Sequence, residues 1–307
     1  MADLLCMGEP MLEFNQLPTM PDGSTHYLEG HGGDTSNAAI AAARQGASVG
    51  YITAIGNDAP GDSFMALWAR EGVDASTVLR TDRALTGVYF VTHTAQGHHF
   101  LHYRKESPAA LYGPADLPEA ALAAAKILYV SGISQGISVS AADAVFAAIH
   151  IMRRYGGKVA YDTNYRPRLW PPERAAAVIH AAIVGADYAF PGMEDAFMLT
   201  GLTDPDGILD FYLRLDVKVV VLKMGDSGAY LADAERRVRI APHVVSAVDA
   251  TGAGDTFCGA FLARILAGDA PEPAARYAGV AAALKCTGYG AVAPIPRSTE
   301  VLAAKWS

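Results

Sequence analysis

Short apolar runs alternate along the chain with longer stretches in which apolar residues recur every three or four positions. The runs predict β-strands and the longer stretches predict α-helices. Strands separated by helices in this way lie side by side in parallel, with helices on both faces of the sheet. The pattern therefore predicts an α/β fold of three layers, α/β/α, with a mainly parallel central sheet. The alternation is most regular from residue 126 onward, where strands are predicted at 127–131, 158–162, 187–190 and 218–223 and helices at 140–155, 172–184 and 194–200.

The N-terminal part of the chain departs from this alternation at one place. Two apolar runs, 86–92 and 99–104, flank a glycine-containing turn at 94–97, which is the pattern of a β-hairpin. An antiparallel pair inserted among parallel strands is a candidate lid. We therefore expect a single domain, 1–307, with a β lid formed from about 9–30 and 86–105. The other elements predicted here are strands at 4–7, 11–15 and 49–55 and helices at 38–45 and 62–71.

Composition and charge narrow the classes of partner. The 307 residues are 51% hydrophobic and carry a formal net charge of −8, with only 24 lysines and arginines. Because there is no basic run, we expect no nucleic acid and no membrane surface as a partner. The three cysteines lack metal-ligand spacing, and the sequence shows no signal-peptide pattern. We therefore expect a cytoplasmic protein.

The stretch 249–261 carries the clearest chemical signal. Residues 244–248 are predicted to form a strand, Gly252 and Gly254 allow a tight turn, and apolar residues at helical spacing follow. Unpaired N–H groups at the start of such a helix form an anion site, most simply for phosphate. Asp255 would then lie beside the phosphate, where it could accept a proton from an attacking hydroxyl. The alternative is a first-turn carboxylate that only complements the helix dipole.

A second glycine turn, 30–33, leads into the predicted helix at 38–45, with an Asp, Ser or Asn side chain as the expected cap. Gly33, Asp34 and Asn37 either hold the hydroxyls of a small polar ligand or belong to an ordinary capped helix. Arg104 and Lys105, at the end of the hairpin, either bind an anion or protect a solvated edge strand.

Polar residues follow several of the predicted strands. Ligands of parallel sheets bind beyond the carboxyl ends of the strands, so residues that are far apart in sequence meet at one edge. We expect this edge to be lined by Asn164, Arg166, Glu194, Gly225 and Asp255.

Two motifs at opposite ends of the chain together resemble the paired signatures of the ribokinase-like (PfkB) carbohydrate kinases. They are Gly-Gly-Asp-Thr-Ser-Asn at 32–37 and Asp-Ala-Thr-Gly-Ala-Gly-Asp at 249–255. Other stretches, among them Gly-Glu-Pro at 8–10, Tyr-Arg-Lys at 103–105 and Asp-Thr-Asn-Tyr-Arg-Pro at 162–167, are similar to the branch of that family that phosphorylates 2-keto-3-deoxygluconate. The resemblance spans nearly the whole chain.

The resemblance implies transfer of the γ-phosphoryl group of ATP to a hydroxyl of a sugar acid. Asp255 would be the base, weak because a helix N-terminus favours its charged form, and the N–H groups of Gly252, Ala253 and Gly254 would stabilise developing charge. Glu194 would act on Mg²⁺ through water. A monovalent cation is a further possible cofactor. The acceptor would be held by Gly33, Asp34, Asn37, Tyr89, His102, Arg104, Arg166 and Asp255, and the nucleotide by Asn164, Arg166, Lys223, Gly225, Gly228, Thr251, Gly252 and Gly254.

Two departures from the family pattern bear on these roles. Pro-Gly-Met-Glu at 191–194 replaces the usual Asn-x-x-Glu, which removes a polar group near the metal, and His102 replaces a tyrosine, which puts a titratable ring in the acceptor site.

Three other functions are weighed against the sugar-acid kinase. A kinase of a neutral sugar, such as fructose or ribose, would not need the pair Arg104 and Arg166. A non-catalytic sensor on the same fold would be expected to lack Asp255 or its turn. A dinucleotide oxidoreductase should carry its glycine fingerprint after the first strand, and Gly8 begins no such pattern. By the resemblance we also expect a homo-oligomer, a dimer or larger, because an exposed lid face is commonly covered by a partner.

Overall fold

The structure is a computed structural model that describes residues 1–18, 20–94 and 97–304. The strands are β1 (Leu4–Met7), β2 (Met11–Gln16), β3 (Tyr27–Gly32), β4 (Val49–Ile52), β5 (Ala54–Gly56), β6 (Val73–Asp74), β7 (Leu79–Thr81), β8 (Val88–Thr94), β9 (Gly97–Tyr103), β10 (Ile127–Ser131), β11 (Lys158–Asp162), β12 (Tyr188–Phe190), β13 (Val219–Lys223), β14 (Ala229–Ala232) and β15 (Arg237–Ile240). The helices are α1 (Asp34–Arg44), α2 (Ala59–Glu71), α3 (Pro108–Leu111), α4 (Glu119–Ala124), α5 (Gly132–Gly136), α6 (Val139–Arg154), α7 (Pro172–Ile183), α8 (Met193–Thr200), α9 (Pro205–Arg214), α10 (Ala253–Leu266), α11 (Pro271–Lys285) and α12 (Ser298–Ala303).

Nine strands form the central sheet in the order β15-β14-β13-β12-β11-β10-β1-β4-β6. All neighbouring pairs from β13 to β6 are parallel, and β14, which is antiparallel to both β13 and β15, is the one reversed strand among the nine. The register of β1 places Leu4 opposite both Ile127 and Val49. The predicted mainly parallel sheet is therefore confirmed.

Both faces of the sheet are covered, as successive residues of β1 show. Leu4 and Cys6 pack into a core cluster with α1, α2, α10 and α11, whereas Leu5 and Met7 pack into a cluster with α6, α7, α8 and α9 on the other face. Side chains of a strand alternate between faces, so a strand buried on both sides is apolar throughout. This explains why the strands read as continuous apolar runs, and it confirms the three-layer arrangement.

A second sheet, here called the small sheet, has the order β3-β2-β8-β9. Its β8 and β9 form the predicted antiparallel hairpin, although residues 95 and 96 of the predicted turn lie outside the described residues. Strand β3 and the parallel pairing of β2 with β8 were not predicted. The small sheet is thus built from the two segments that the sequence assigned to a lid.

Helices α1 and α10 pack very closely. A side chain at Gly259 would bring its Cβ to 2.2 Å from the carbonyl oxygen of Ala38 and 2.8 Å from Cβ of Ala41. Only glycine facing alanine allows this approach. The close packing places the N-terminal turns of the two helices beside each other, which is where the candidate site lies.

The predicted strand at 244–248 is wrong. These residues form no strand in the described chain, and Val244 is 86% exposed. The central sheet ends at β15, and residues 244–248 do not pair with it. Instead, the backbone N–H groups of Val248 and Asp249 both donate to the carbonyl of Cys286.

The predicted strand at 49–55 is divided at Thr53. Its first part, β4, belongs to the central sheet, and its second part, β5, turns away to pair with β7. Neither α9 nor the β14–β15 hairpin was predicted. Among the described residues, no helix is both long enough and apolar enough to cross a membrane.

Candidate active site

Both helix N-termini at the site begin after a glycine in an unusual backbone conformation. Gly33 precedes α1 with φ 104°, and Gly252 precedes α10 with φ 77°. A residue with a side chain would be strained at either position. The expected Asp, Ser or Asn cap of α1 is wrong, because the helix starts at Asp34 and Gly33 makes no side-chain cap.

The polar residues in the first turn of α1 are used for contacts between distant parts of the chain instead. Asn37 Nδ2 donates to Asp255 Oδ2 at 2.8 Å, and Ser36 Oγ accepts from the indole of Trp68 at 3.0 Å. Asp34 Oδ2 accepts from Asn164 Nδ2 at 2.8 Å. The two sequence motifs are therefore in direct contact through Asn37 and Asp255.

The turn before Asp255 offers N–H groups toward the space in front of it. The N–H of Ala253 donates to the carbonyl of Ala250 at 3.1 Å. In the described chain, the N–H groups of Gly252, Gly254 and Asp255 have no backbone acceptor. These three groups are therefore available to an anion, and the role predicted for Gly252, Ala253 and Gly254 stays a prediction.

A buried ion pair lies directly behind this turn. Lys223, at the end of β13, donates to Asp162 Oδ2 at 2.6 Å, and Asp162 is completely buried. A Cβ added to Gly254 would lie 3.4 Å from the ammonium of Lys223. Burial is the largest single effect and lowers the pKa of Lys223, but the charges of Asp162 and other neighbours, together with the hydrogen bond to Asp162, raise the net pKa. Lys223 therefore remains a cation beside the anion site.

The pKa of Asp255 is raised from 3.8 to about 7. Burial is the largest cause and the charge of Asp34 is the next, while the hydrogen bond from Asn37 opposes both. This corresponds to about 4 kcal/mol in favour of the protonated form, whereas a helix dipole contributes roughly 0.3–1 kcal/mol the other way. The expectation that Asp255 is a weak base is therefore wrong.

Asn164 connects α1 to the central sheet. It follows β11, it is buried, and its φ of 30° is rare for a residue with a side chain. Its amide donates to Asp34, and burial raises the pKa of Asp34. The strained backbone indicates that the position of this amide matters for the site.

The small sheet contributes the aromatic residues of the site. Tyr89 and His102 are opposite each other on β8 and β9, and their rings stack with centroids 5.6 Å apart. The hydroxyl of Tyr89 donates to the carboxylate of Glu13. Partial burial and the cations of Arg104 and Arg168 lower the pKa of His102, so this ring is neutral at pH 7.

Arg104 follows β9 and forms an ion pair with Glu9, the residue between β1 and β2. Glu9 is 2% exposed and also accepts from the hydroxyl of Ser107. Burial raises the pKa of Glu9, and Arg104 opposes this. The Nε of Arg104 is buried and has no hydrogen-bond partner in the described chain. The guanidinium thus joins the small sheet to the main body and keeps a donor free.

The predicted nucleotide-binding residues differ in exposure, and Gly225, Gly228 and Thr251 are less buried than Asn164. Gly225 and Gly228 flank the short turn after β13, and Thr251 is exposed with its N–H donating to Asp249. Arg166 is also exposed and donates to the carbonyl of Tyr165, the residue before it. Within the described residues, no contact joins Arg166 to Arg104.

Glu194, the predicted magnesium contact, is exposed at the start of α8. Its neighbour Asp195 instead lies close to the buried ion pair. Asp195 accepts from Thr163 at 3.1 Å, and burial, followed by the charge of Asp162, raises its pKa. The role of Glu194 as a magnesium contact stays a prediction.

Sequence reasoning missed several site residues. Asp162 ends a strand just before Asn164, so a carboxylate at the carboxyl end of a strand was a usable signal. Glu9 directly follows the first strand in the same way. The role of Asp195 had no separate signal, since Glu194 beside it fitted the family pattern equally well. The missed residues are Glu9, Glu13, Asp162 and Asp195.

Taken together, the site combines a carboxylate that can accept a proton near neutral pH with free N–H groups and a fixed ammonium. A group with such a pKa is suited to general-base chemistry. N–H groups and a cation next to it are suited to a phosphate. The aromatic face of the small sheet closes one side of this space.

Comparison with known proteins agrees with this geometry. The model of the pfkB family carbohydrate kinases matches residues 1–298. A 2-dehydro-3-deoxygluconokinase of Bacillus subtilis (strain 168) is 32% identical, over 96% of this chain and 92% of its own. The crystal structure of a PfkB protein from Polaromonas sp. JS666 superposes with a TM-score of 0.90 at 31% identity, covering 99% of this chain and 100% of that one. A putative ribokinase II from E. coli in complex with ATP and Mg²⁺ has a TM-score of 0.90 at 25% identity, with 98% of each chain covered. The chain therefore belongs to the pfkB family of carbohydrate kinases and has the ribokinase-like fold.

Proposed function

We propose that this kinase transfers the γ-phosphoryl group of ATP to a hydroxyl of 2-keto-3-deoxygluconate, giving 2-keto-3-deoxy-6-phosphogluconate. The observation that carries the proposal is Asp255, a carboxylate with a pKa of about 7 next to free N–H groups at a helix N-terminus. The choice of acceptor is supported by similarity to the 2-dehydro-3-deoxygluconokinase, whose substrate is the same sugar acid under another name.

In the proposed reaction Asp255 takes the proton of the sugar hydroxyl. The hydroxyl oxygen forms the new bond to phosphorus, and the bond between phosphorus and the ADP oxygen breaks with its electron pair leaving on ADP. Charge on the transferred group is stabilised by the N–H groups of Gly252 and Gly254 and by the ammonium of Lys223. Asn37 keeps the base oriented through its hydrogen bond.

The acceptor would lie between α1 and the small sheet. Its hydroxyls would bond to Gly33, Asp34 and Asn37. Its apolar faces would pack against Tyr89 and His102. Its carboxylate would bond to the free donor of Arg104. Arg166 would close over the carboxylate from the other side. Movement of the small sheet as a lid over a single kinase domain would exclude water from the reaction.

A kinase for a neutral sugar is the second candidate, and one observation favours it. Arg104 already has a buried carboxylate partner in Glu9, so its positive charge is balanced without any substrate. Arg104 can add to the affinity for a sugar acid in two ways. Its remaining N–H donors can bond to the substrate carboxylate, or the ion pair with Glu9 can move so that the guanidinium meets that carboxylate.

The nucleotide would lie along Asn164, Lys223, Gly225, Gly228 and Thr251. Mg²⁺ keeps much of its hydration shell and binds through few protein carboxylates, together with phosphates. The described residues contain no group of three or more potential metal ligands. Single carboxylates fit that mode of binding. Glu194 would reach Mg²⁺ through water, and Asp195, which lies closer to the Lys223–Asp162 ion pair, is a second candidate. When bound, the metal would neutralise phosphate charge.

We also propose a homodimer formed through the outer face of the small sheet. Phe14 and Phe90 stack on this face with ring centroids 5.1 Å apart, and Leu101 and Tyr103 on the same face are 55% and 59% exposed. Such an apolar surface supports a protein partner. A cytoplasmic location is supported by the cysteines, of which none is bonded to another.

The role of the base is tested with Asp255→Asn. The amide still accepts the hydrogen bond from Asn37 but cannot take a proton, so kcat should fall by about 10²-fold or more while KM for the sugar changes little. The measurement is ADP formation under saturating substrates. Full activity of this variant would rule out Asp255 as the base.

A stability measurement serves as the control for folding. Because the folded state raises the pKa of Asp255, ionisation of this group costs stability as pH rises from 3.8 through 7. Asp255→Asn should therefore melt at a higher temperature than the wild type at pH 8, and the difference should shrink toward pH 5.

The choice of acceptor is tested by activity on 2-keto-3-deoxygluconate, its galactonate epimer, fructose and ribose. Arg104→Ala alone would leave Glu9 buried and unpaired, so the informative variant is Glu9→Gln combined with Arg104→Ala. If Arg104 binds the carboxylate, kcat/KM for sugar acids should fall by about 30-fold or more relative to the best neutral sugar.

Lys105→Ala is the matched control, since it removes an exposed charge beside Arg104 and should leave the ratio of acid to neutral activity unchanged. An equal loss for acids and neutral sugars in the double variant would contradict the sugar-acid assignment and favour the neutral-sugar kinase.

The dimer is tested with Leu101→Asp, which places a charge on the outer face of the small sheet. Light scattering coupled to size exclusion should give a dimer for the wild type and a monomer for this variant. Leu302→Asp, which changes a residue that is 64% exposed on α12, should remain a dimer. A monomeric wild type would refute the proposal.

A further inference from the structure

Lys285 is a fully buried lysine outside the site described so far. It is the last residue of α11 and has no exposed surface. Lysine is almost never fully buried unless it is paired. Its ammonium donates to the backbone carbonyl of Asp249 at 2.7 Å. The partner is therefore the first residue of the turn that leads to Asp255.

Asp249 ties this turn to the segment that follows α11. One oxygen of its carboxylate accepts from the N–H of Thr251 at 2.9 Å, and the other accepts from the N–H of Gly290 at 2.8 Å. The carbonyl of Cys286 accepts from the N–H of Asp249 at 3.1 Å. A Cβ at Gly252 would lie 3.1 Å from the carbonyl of Ala291. The turn that leads to Asp255 is thus held in position by contacts with residues 285–291.

The charges around the ammonium are negative. Burial lowers the pKa of Lys285, and the charges of Asp249, Asp255 and Glu13 oppose this. A buried ammonium in contact with a carbonyl and near these carboxylates supplies positive charge of the kind that a bound cation would supply. None of the catalytic steps proposed above uses this residue.

We propose that the ammonium of Lys285 is a built-in cation that positions the turn 249–254, so that the anion site forms without a bound monovalent ion. Lys285 acts through Asp249 and is a positioning residue. The proposal rests on the proposed kinase function, and it replaces the monovalent cation that the sequence left open as a cofactor.

The test uses Lys285→Ala, which leaves a cavity at the carbonyl of Asp249. In buffer with choline as the only monovalent cation, kcat should fall by about 10²-fold because the turn loses its fixed position. Addition of NH₄⁺ or K⁺ at constant ionic strength should restore kcat at least tenfold. KM for the sugar should change little, since Lys285 does not touch the acceptor.

Lys285→Met is the matched variant, because it fills the space of the lysine stem without a charge. It should lose activity to the same extent and should not respond to NH₄⁺ or K⁺. Lys126→Ala, which removes an exposed lysine paired with Asp3, should behave like the wild type. Thermal unfolding of each variant shows whether it is folded at the assay temperature.

Three results would overturn the proposal. One is a Lys285→Ala variant that is folded but not restored by any monovalent cation, and another is an equal response of the alanine and methionine variants. The third needs no variant: the wild type should have the same kcat in choline and in K⁺, and a loss of tenfold or more in choline would contradict a built-in cation. A wild type that phosphorylates no sugar in either buffer would instead refute the proposed function.

Discussion

Crowding of carboxylates at one edge of the central sheet is the constraint on which the site depends. Asp34, Asp162 and Asp255 come from α1, β11 and α10. Burial of Asp255, followed by the charges of Asp34 and Asp162, raises its pKa. The ammonium of Lys223 balances Asp162, while the amides of Asn37 and Asn164 bond to the other two carboxylates without supplying charge. Because the compensation is incomplete, Asp255 holds its proton up to about pH 7.

The fold brings these groups together through close helix packing. Gly259 against Ala38 allows α1 and α10 to approach, and glycines at both N-termini let the chain enter each helix without a side-chain cap. The polar residues of the first turns are then free to bond across the interface. Burial of charge is costly, so this arrangement is maintained by the surrounding core and not by the polar contacts alone.

Much of the fold could be predicted from the sequence, because strands buried on both faces are continuous apolar runs, as at 127–131 and 158–162. The site could be predicted where a motif lies at a strand end or a helix start, as for Asp255 and Asn164. The strand predicted at 244–248 is wrong because these residues do not pair with the sheet, and Val248 bonds to the segment that follows α11 instead. Such a long-range contact cannot be read from the apolar run itself.

Contacts between distant segments were the least predictable part of the site. The residues near Arg104 in the sequence do not indicate that Glu9 is its partner. Lys285 lies in an alanine-rich helix and has the sequence pattern of an exposed lysine, although it is buried. The pKa of Asp255 was misjudged for the same reason, since the helix dipole can be inferred from the sequence whereas the burial of Asp255 and the charge of Asp34 cannot.

The most direct test of this account is the pH dependence of the wild-type rate with both substrates far below saturation, where the profile reports groups of the free enzyme. If Asp255 is the base, activity should rise with pH through an apparent pKa near 7 and then level off. A rate that stays constant from pH 8 down to about pH 5, near the ordinary range of an aspartate, would contradict the claim that buried carboxylates tune this base.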